Sequence, residues 1–216
     1  MPAFFGRREG ERVVIEGADA RHIARSLRTR PGEDIEVVDP AGLMLTVRVE
    51  AVSDSRVAGV VVAERSHQPE PARRVIVAIA HLPASSLELV LSRCTEVGAS
   101  GFVIVQAARS VARGARTERW QTIVREAAML AGRLRVPSVD GPWSLEEVVR
   151  RSPNPVMLVR GAGAMPRTGD VTLLIGPEGG WTDQELAMVP QHAGLGPRNL
   201  RAETAAIVAS ALAVGT

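Results

Sequence analysis

The 216-residue chain predicts an α/β fold in two segments: a small, mostly β segment over residues 1–68, then a parallel sheet flanked by helices over residues 73–216. Three observations predict it. Short, alternating apolar runs crowd the first 65 residues. The stretch Ser66-His-Gln-Pro-Glu-Pro-Ala72 is polar, carries two prolines and reads as a linker. Beyond it, continuous apolar runs alternate with helix-like stretches, the pattern of a buried parallel sheet.

In the first segment Phe4-Phe5 and Arg12–Glu16 are short strands, and Ala18–Leu27 is a helix with Ile23 and Leu27 four apart on one face. Ile35–Val38, the turn Asp39-Pro-Ala-Gly42 and Leu43–Val52 alternate as a hairpin, and Val57–Ala63 adds a strand. Several strands and one helix suggest a little barrel. In the second segment Val75–Ala80 is a buried strand. Ser86–Val97 is an amphipathic helix with Leu87, Val90, Leu91 and Cys94 on one side. Phe102–Val105 is the next strand, and Glu118–Leu134 is a long helix whose Trp120 belongs to the core. Val156–Val159 and Val171–Ile175 are further strands, and Glu203–Ala213 is the last helix.

Composition excludes several chemistries. All 26 basic residues are Arg, so pI is about 9.8 at a formal charge of only +2. Without Lys there is no Schiff-base chemistry and no Walker phosphate loop. The cations are all forked guanidiniums suited to phosphate. His22, His67, His81 and His192 have no metal-ligand spacing and Cys94 has no partner, so no metal site is expected. A single cysteine fits a reducing compartment. No apolar run approaches the ~20 residues of a membrane span, and Arg7-Arg8 has no hydrophobic stretch behind it, so a cytoplasmic protein is expected.

Two segments carry the chemistry. Ile175-Gly-Pro-Glu-Gly-Gly180 follows the run Val171–Ile175, and Leu195-Gly-Pro-Arg-Asn-Leu-Arg-Ala-Glu-Thr-Ala-Ala206 follows the β-like run His192–Leu195. Each leads into a helix-like stretch. A glycine turn between strand and helix exposes backbone N–H and C=O groups with no side chain in the way, and two such turns side by side make a slot for a small cofactor. Gly161-Ala-Gly163-Ala-Met-Pro166 only starts like a dinucleotide fingerprint, because Pro166 stands where the third glycine belongs.

The pair of turns resembles the RsmE-like family of SPOUT RNA methyltransferases. The resemblance extends more weakly over nearly the whole chain, through His22-Ile-Ala-Arg-Ser-Leu-Arg28, Thr95-Glu-Val-Gly98, Glu118-Arg-Trp-Gln121, and Glu126-Ala-Ala128 followed by Gly132-Arg133. It departs at Ala84, where the family has Lys after Leu-Pro, at Met129-Leu130, where it has a polar pair, and at Asn199, where it has Ile.

The resemblance implies a PUA-like β-barrel RNA-binding domain over residues 1–68. A SPOUT-type, trefoil-knotted parallel sheet over residues 73–216 then forms the methyltransferase domain. It implies S-adenosylmethionine as cofactor, held at Ile175, Gly176, Pro177, Gly180, Leu195, Gly196, Asn199 and Leu200. It further implies methylation of N3 of a uridine in small-subunit ribosomal RNA, and a homodimer. Removing the N3 proton leaves an anion that a guanidinium would stabilise, with Arg201 the first candidate and Arg198 the second.

Seven Arg against two Glu between Arg109 and Arg135, and a second cluster on the first helix, point to a polyanion partner. The candidate RNA contacts are Arg21, Arg25, Arg28, Arg113, Arg116, Arg119 and Arg133. A SPOUT enzyme with another RNA target, or a non-catalytic RNA-binding relative, stays open. The chain lacks the Asn-x-x-Gly-x-x-x-Arg pattern of ribose-methylating relatives.

Overall fold

The computed structural model describes residues 2–215 and divides into two compact units. The first holds the chain up to Glu70 together with Ala128–Val136, and the second holds Pro71–Ala127 and Pro137 onward. The return of residues 128–136 to the first unit has no counterpart in the linear division of the sequence.

The first unit is a six-stranded sheet. Its strands are β1 (Ala3–Phe5), β2 (Arg7–Glu9), β3 (Arg12–Glu16), β4 (Asp34–Asp39), β5 (Leu43–Val52) and β6 (Arg56–Ser66). The spatial order β1-β4-β5-β6-β3-β2 puts β1 and β2 at opposite edges. Only Gly6 joins them in sequence, so the sheet must curl until its edges meet. A β-carbon on Gly6 would stand 2.8 Å from Val13 and about 3 Å from Val37 and Ile15, which is why the corner takes glycine. The interior is filled by Phe4, Val13, Ile15, Ile23, Ile35, Val37, Leu45, Val47, Val49 and Val57, with Met129 packed among them. Between β3 and β4 runs α1 (Gly17–Arg21), which widens into a π-helical turn over His22–Leu27 and ends at Arg28 in the left-handed region (φ 55°).

The second unit is a wholly parallel sheet. Its strands are β7 (Val75–Ala80), β8 (Gly101–Gln106), β9 (Ser138–Ser144), β10 (Pro155–Leu158), β11 (Val171–Ile175) and β12 (His192–Ala193), in the order β12-β10-β11-β7-β8-β9. The helices are α2 (Ala84–Val97), α3 (Thr117–Leu130), α4 (Leu145–Arg151), α5 (Asp183–Met188) and α6 (Ala202–Val214). The chain builds outward from β7 to β8 and β9. It then crosses over to lay down β10, β11 and β12 on the other side of β7. The sheet order therefore reverses between β7 and β11, where open α/β sheets leave a crevice at their strand C-termini. One face of the sheet packs Ala78, Val105, Met157 and Leu174 against Leu145, Val148 and Val189. On the other, α6 packs on α2, β7 and β11 through the buried Ala206 and Ala209.

Local chemistry explains most boundaries. α2 ends at Gly98, whose φ of 116° excludes most side chains and whose N–H reaches Cys94 O and Thr95 O. α4 starts at Ser144, whose hydroxyl accepts from Glu147 N–H. Cys94 and Trp120 are buried, as the sequence predicts. The helix predicted to run to Leu134 stops at Leu130. Gly132 takes a φ of 64°, its N–H donates to Met129 O, and the following residues turn away. β9 and α4 were not evident in the sequence pattern, whereas α5 is the helix expected after the Gly180 turn. No described helix is long and apolar enough to cross a membrane.

Candidate active site

A cleft of about 400 Å³ opens at the C-terminal ends of β10, β11 and β12. Its walls are the turn after β11 (Ile175, Gly176, Pro177, Glu178, Gly180 and Trp181) and the segment after β12 (Leu195, Gly196, Arg198, Asn199, Leu200 and Arg201). Leu158, Val159 and Arg160 after β10 close the third side. All eight residues expected to hold the cofactor line this one cavity, as do Arg198 and Arg201. Arg201 is the N-cap residue of α6, with an extended backbone and an exposed side chain. Among the described residues neither Arg201 nor Arg198 makes an ion pair, so Arg201 does not pair with Glu203.

The cleft walls bring backbone close to any occupant. Gly176 faces the Trp181 indole so closely that a β-carbon would lie 3.0 Å from its Nε1. Gly180 and Gly196 both take positive φ (69° and 98°). A side chain on Gly194 would strike the Ala162 backbone. Trp181 Nε1 is buried without a hydrogen-bond partner among the described residues, in a cavity that its residue lines. A donor left open in such a place is suited to a polar ligand.

Three side chains that sequence reasoning missed hold the β11 turn in place. Arg109 Nη1 donates to Gly179 O (2.7 Å) and to Trp181 O (3.3 Å). Buried Glu185 accepts from Ala108 N–H at one oxygen (2.9 Å) and from the N–H and hydroxyl of Thr182 at the other. Thr182 in turn accepts from Glu185 N–H, which completes a capping box on α5. The spacing Thr182-x-x-Glu185 was the one signal in the sequence that could have revealed it.

The seven candidate RNA contacts do not form one set. Arg133 is 4% exposed and pairs with Glu70, whose carboxylate also accepts from Leu134 N–H. It is an internal strut of the first unit rather than a surface cation: its guanidinium is buried and hydrogen-bonded to the partly buried Glu70 carboxylate. Arg25 pairs with Asp54, and Arg119 with Glu88 (2.7 Å), and in each pair the hydrogen-bonded guanidinium holds the carboxyl below its usual pKa. Arg21, Arg28, Arg113 and Arg116 are exposed. Of the departures from the family pattern, Met129 belongs to the core of the first unit, Leu130 is 64% exposed, and Ala84 is the first residue of α2. Asn199 lines the cleft.

The comparisons with known proteins follow this geometry. The model of the RNA methyltransferase domain matches residues 68–214, and that of the RNA methyltransferase PUA domain matches residues 15–62. Ribosomal RNA small subunit methyltransferase E of Mycobacterium tuberculosis (strain CDC 1551 / Oshkosh) is 34% identical over 93% of this chain and 85% of its own. The Bacillus subtilis (strain 168) protein of the same description is 28% identical over 93% and 89%. The crystal structure of the Neisseria gonorrhoeae ribosomal RNA small subunit methyltransferase E, bound to S-adenosyl methionine, superposes with a TM-score of 0.87 at 27% identity, over 98% of this chain and 95% of that one. A curled β unit, a parallel sheet with glycine turns at its strand ends, and matches spanning nearly the whole chain all lead to one assignment: the chain belongs to the RNA methyltransferase family of ribosomal RNA small subunit methyltransferase E.

Proposed function

We propose that the protein transfers a methyl group from S-adenosylmethionine to N3 of a uridine in small-subunit ribosomal RNA. One observation carries this reading. Two glycine turns from separate strand ends converge on a single cleft whose lining includes Arg160, Arg198 and Arg201, none of them in an ion pair among the described residues. Similarity to small-subunit ribosomal RNA methyltransferases, one of them with S-adenosyl methionine bound, supports the cofactor and the substrate class.

When bound, S-adenosylmethionine supplies an electrophilic methyl group open to in-line displacement. The chain's residues do the rest. Ile175, Gly176, Pro177, Gly180, Leu195, Gly196, Asn199 and Leu200 hold the cofactor, mainly through backbone groups. N3 of uridine becomes nucleophilic only when its proton leaves, and the resulting anion spreads over the ring oxygens. The Arg201 guanidinium beside those oxygens lowers the cost of ionisation, helped by the positive end of α6, and Arg198 is the second donor. Glu203 sits in the first turn of α6, where a carboxylate is favourable whatever its chemistry, and is not assigned as the base.

Residues 1–68 serve as a PUA-like RNA-binding domain and residues 73–216 as the methyltransferase domain. Arg21, Arg28, Arg113 and Arg116 offer free charge to phosphate, and Arg25 and Arg119 exchange a carboxylate for it. Val208 and Leu212 are exposed on α6 and support a homodimer through that helix, in the cytoplasm where ribosomes are modified. A monomer in sedimentation at micromolar concentration would remove the dimer. Nucleoside mass spectrometry of ribosomal RNA from a strain lacking the gene tests the activity. The expected result is loss of 3-methyluridine, restored by the wild-type gene, and 3-methyluridine at the normal level would overturn the reading.

A further inference from the structure

Two stretches far apart in sequence are tied together at the turn that forms one wall of the cleft. The loop that follows β8, Ala107 to Arg116, has no regular secondary structure. Its first part is closed by mutual hydrogen bonds between Ala107 and Ser110. It is then fastened to the β11 turn at two points, Arg109 Nη1 on the carbonyls of Gly179 and Trp181, and Ala108 N–H on Glu185. Past Ser110 the fastening thins out. Between Val111 and Ala115 one hydrogen bond holds the segment among the described residues, from Gln106 Nε2 to Ala112 O (3.5 Å). That loosely held part carries Arg113 and leads to Arg116, and Val111 within it is 71% exposed.

The two carbonyls that Arg109 grips belong to residues on either side of Gly180, which lines the cleft, and the indole of Trp181 forms the wall opposite Gly176. A ligand in the cleft that fixes Gly180 and Trp181 therefore also fixes both acceptors of Arg109. We infer that Arg109 is a positioning residue that couples the two substrates: cofactor in the cleft orders the basic loop through Arg109, so cofactor and RNA bind cooperatively. This rests on the function proposed above, because it takes the cleft as the cofactor site and Arg113 and Arg116 as RNA contacts. Linkage makes the coupling reciprocal, since whatever the cofactor does for RNA affinity the RNA does for cofactor affinity. The ordering of a loop with few internal bonds is the free-energy term that is shared.

The test measures binding of a small-subunit ribosomal RNA fragment, with and without saturating S-adenosylhomocysteine, to the wild-type protein, Arg109→Ala and Arg109→Lys. S-adenosylhomocysteine is used because it cannot donate a methyl group during the measurement. For the wild type it should tighten RNA binding by about fivefold or more, the lower range of measured couplings. For Arg109→Ala the gain should fall below about twofold, with partial recovery in Arg109→Lys. Arg109 is exposed, and thermal melting of each variant checks that the fold is kept. A gain in Arg109→Ala equal to that of the wild type overturns the coupling while leaving the proposed function intact. A wild-type protein that binds neither S-adenosylhomocysteine nor the RNA overturns the proposed function itself.

Discussion

Trp181 lies across Gly176 with its indole so close that a β-carbon on the glycine would stand 3.0 Å from both Nε1 and Cε2. The glycine is therefore required by this contact. Gly176→Ala should push the indole into the cleft and weaken S-adenosylmethionine binding by about tenfold, the scale of a small steric misfit in a packed site. Titration calorimetry checks it, and unchanged affinity would move the cofactor away from this wall.

Arg201 gives the sharpest test of the chemistry. Arg201→Ala should reduce methyl transfer by ~100-fold or more, the scale for losing one charge-stabilising donor. Cofactor affinity should barely change, and part of the lost rate should return at higher pH, where more uridine ionises unaided. Equal falls in rate and in cofactor binding would instead make Arg201 a brace for its loop.

The basic loop predicts salt dependence. Arg119 is hydrogen-bonded to Glu88, whereas Arg113 and Arg116 are exposed and make no ion pair among the described residues. Replacing both with Ala should flatten the plot of log RNA affinity against log salt by about 1.5, if each meets one phosphate of single-stranded RNA. An unchanged slope returns the loop to ordinary solvated surface.

Glu70 holds Arg133 and the Leu134 N–H inside the first unit. Glu70→Ala removes a carboxylate hydrogen-bonded both to a buried guanidinium and to a backbone N–H, and should cost about 3 kcal/mol, the lower end for breaking a buried pair. Urea denaturation followed by tryptophan-free probes of the first unit, such as an NMR marker on Met129, measures it. A loss below about 0.5 kcal/mol would show the pair to be solvent-screened.

Cys94 is enclosed between α2 and α6, and burial pushes its thiol up to about 12. At pH 8 its thiolate fraction is then of order 10⁻⁴, against about a quarter for an unperturbed thiol. Iodoacetamide should label the native protein at least ~1,000-fold more slowly than the urea-unfolded chain. The raised value also sets a sign for stability. The contribution is complete below the unfolded thiol's pKa, near 8.5, and is lost as pH rises toward 12.

The cleft was legible in the sequence because its chemistry is local. Each glycine turn sits directly after a strand, the apolar β11 or the short β12, and leads into a helix that starts within a dozen residues of the strand's first residue. What holds the cleft was not legible. Arg109 and Gly179 are 70 residues apart and Ala108 and Glu185 are 77 apart, and no periodicity links them. Arg133 sits in a basic stretch, and only its enclosure with Glu70, 63 residues away, removes it from the surface. β9 contains Gly141-Pro142 and polar residues, which an edge strand tolerates and an alternation search passes over. Met129 reads as a helix-face residue until the chain's return to the first unit buries it.

The order in which the cleft is assembled also has a consequence for translation. Every residue lining it lies between Leu158 and Ala205, whereas β7 and β8, the strands on which that half of the sheet is laid, are made far earlier. A ribosome synthesising this chain therefore exposes the basic helix and loop long before the cofactor slot can exist. Half-made copies can touch RNA through those cations but have no place for a methyl donor. Methylation competence arrives only once Ala205 has been made, several seconds after β8 at about 5–20 residues per second, so a product stalled or truncated before Leu158 is silent by construction.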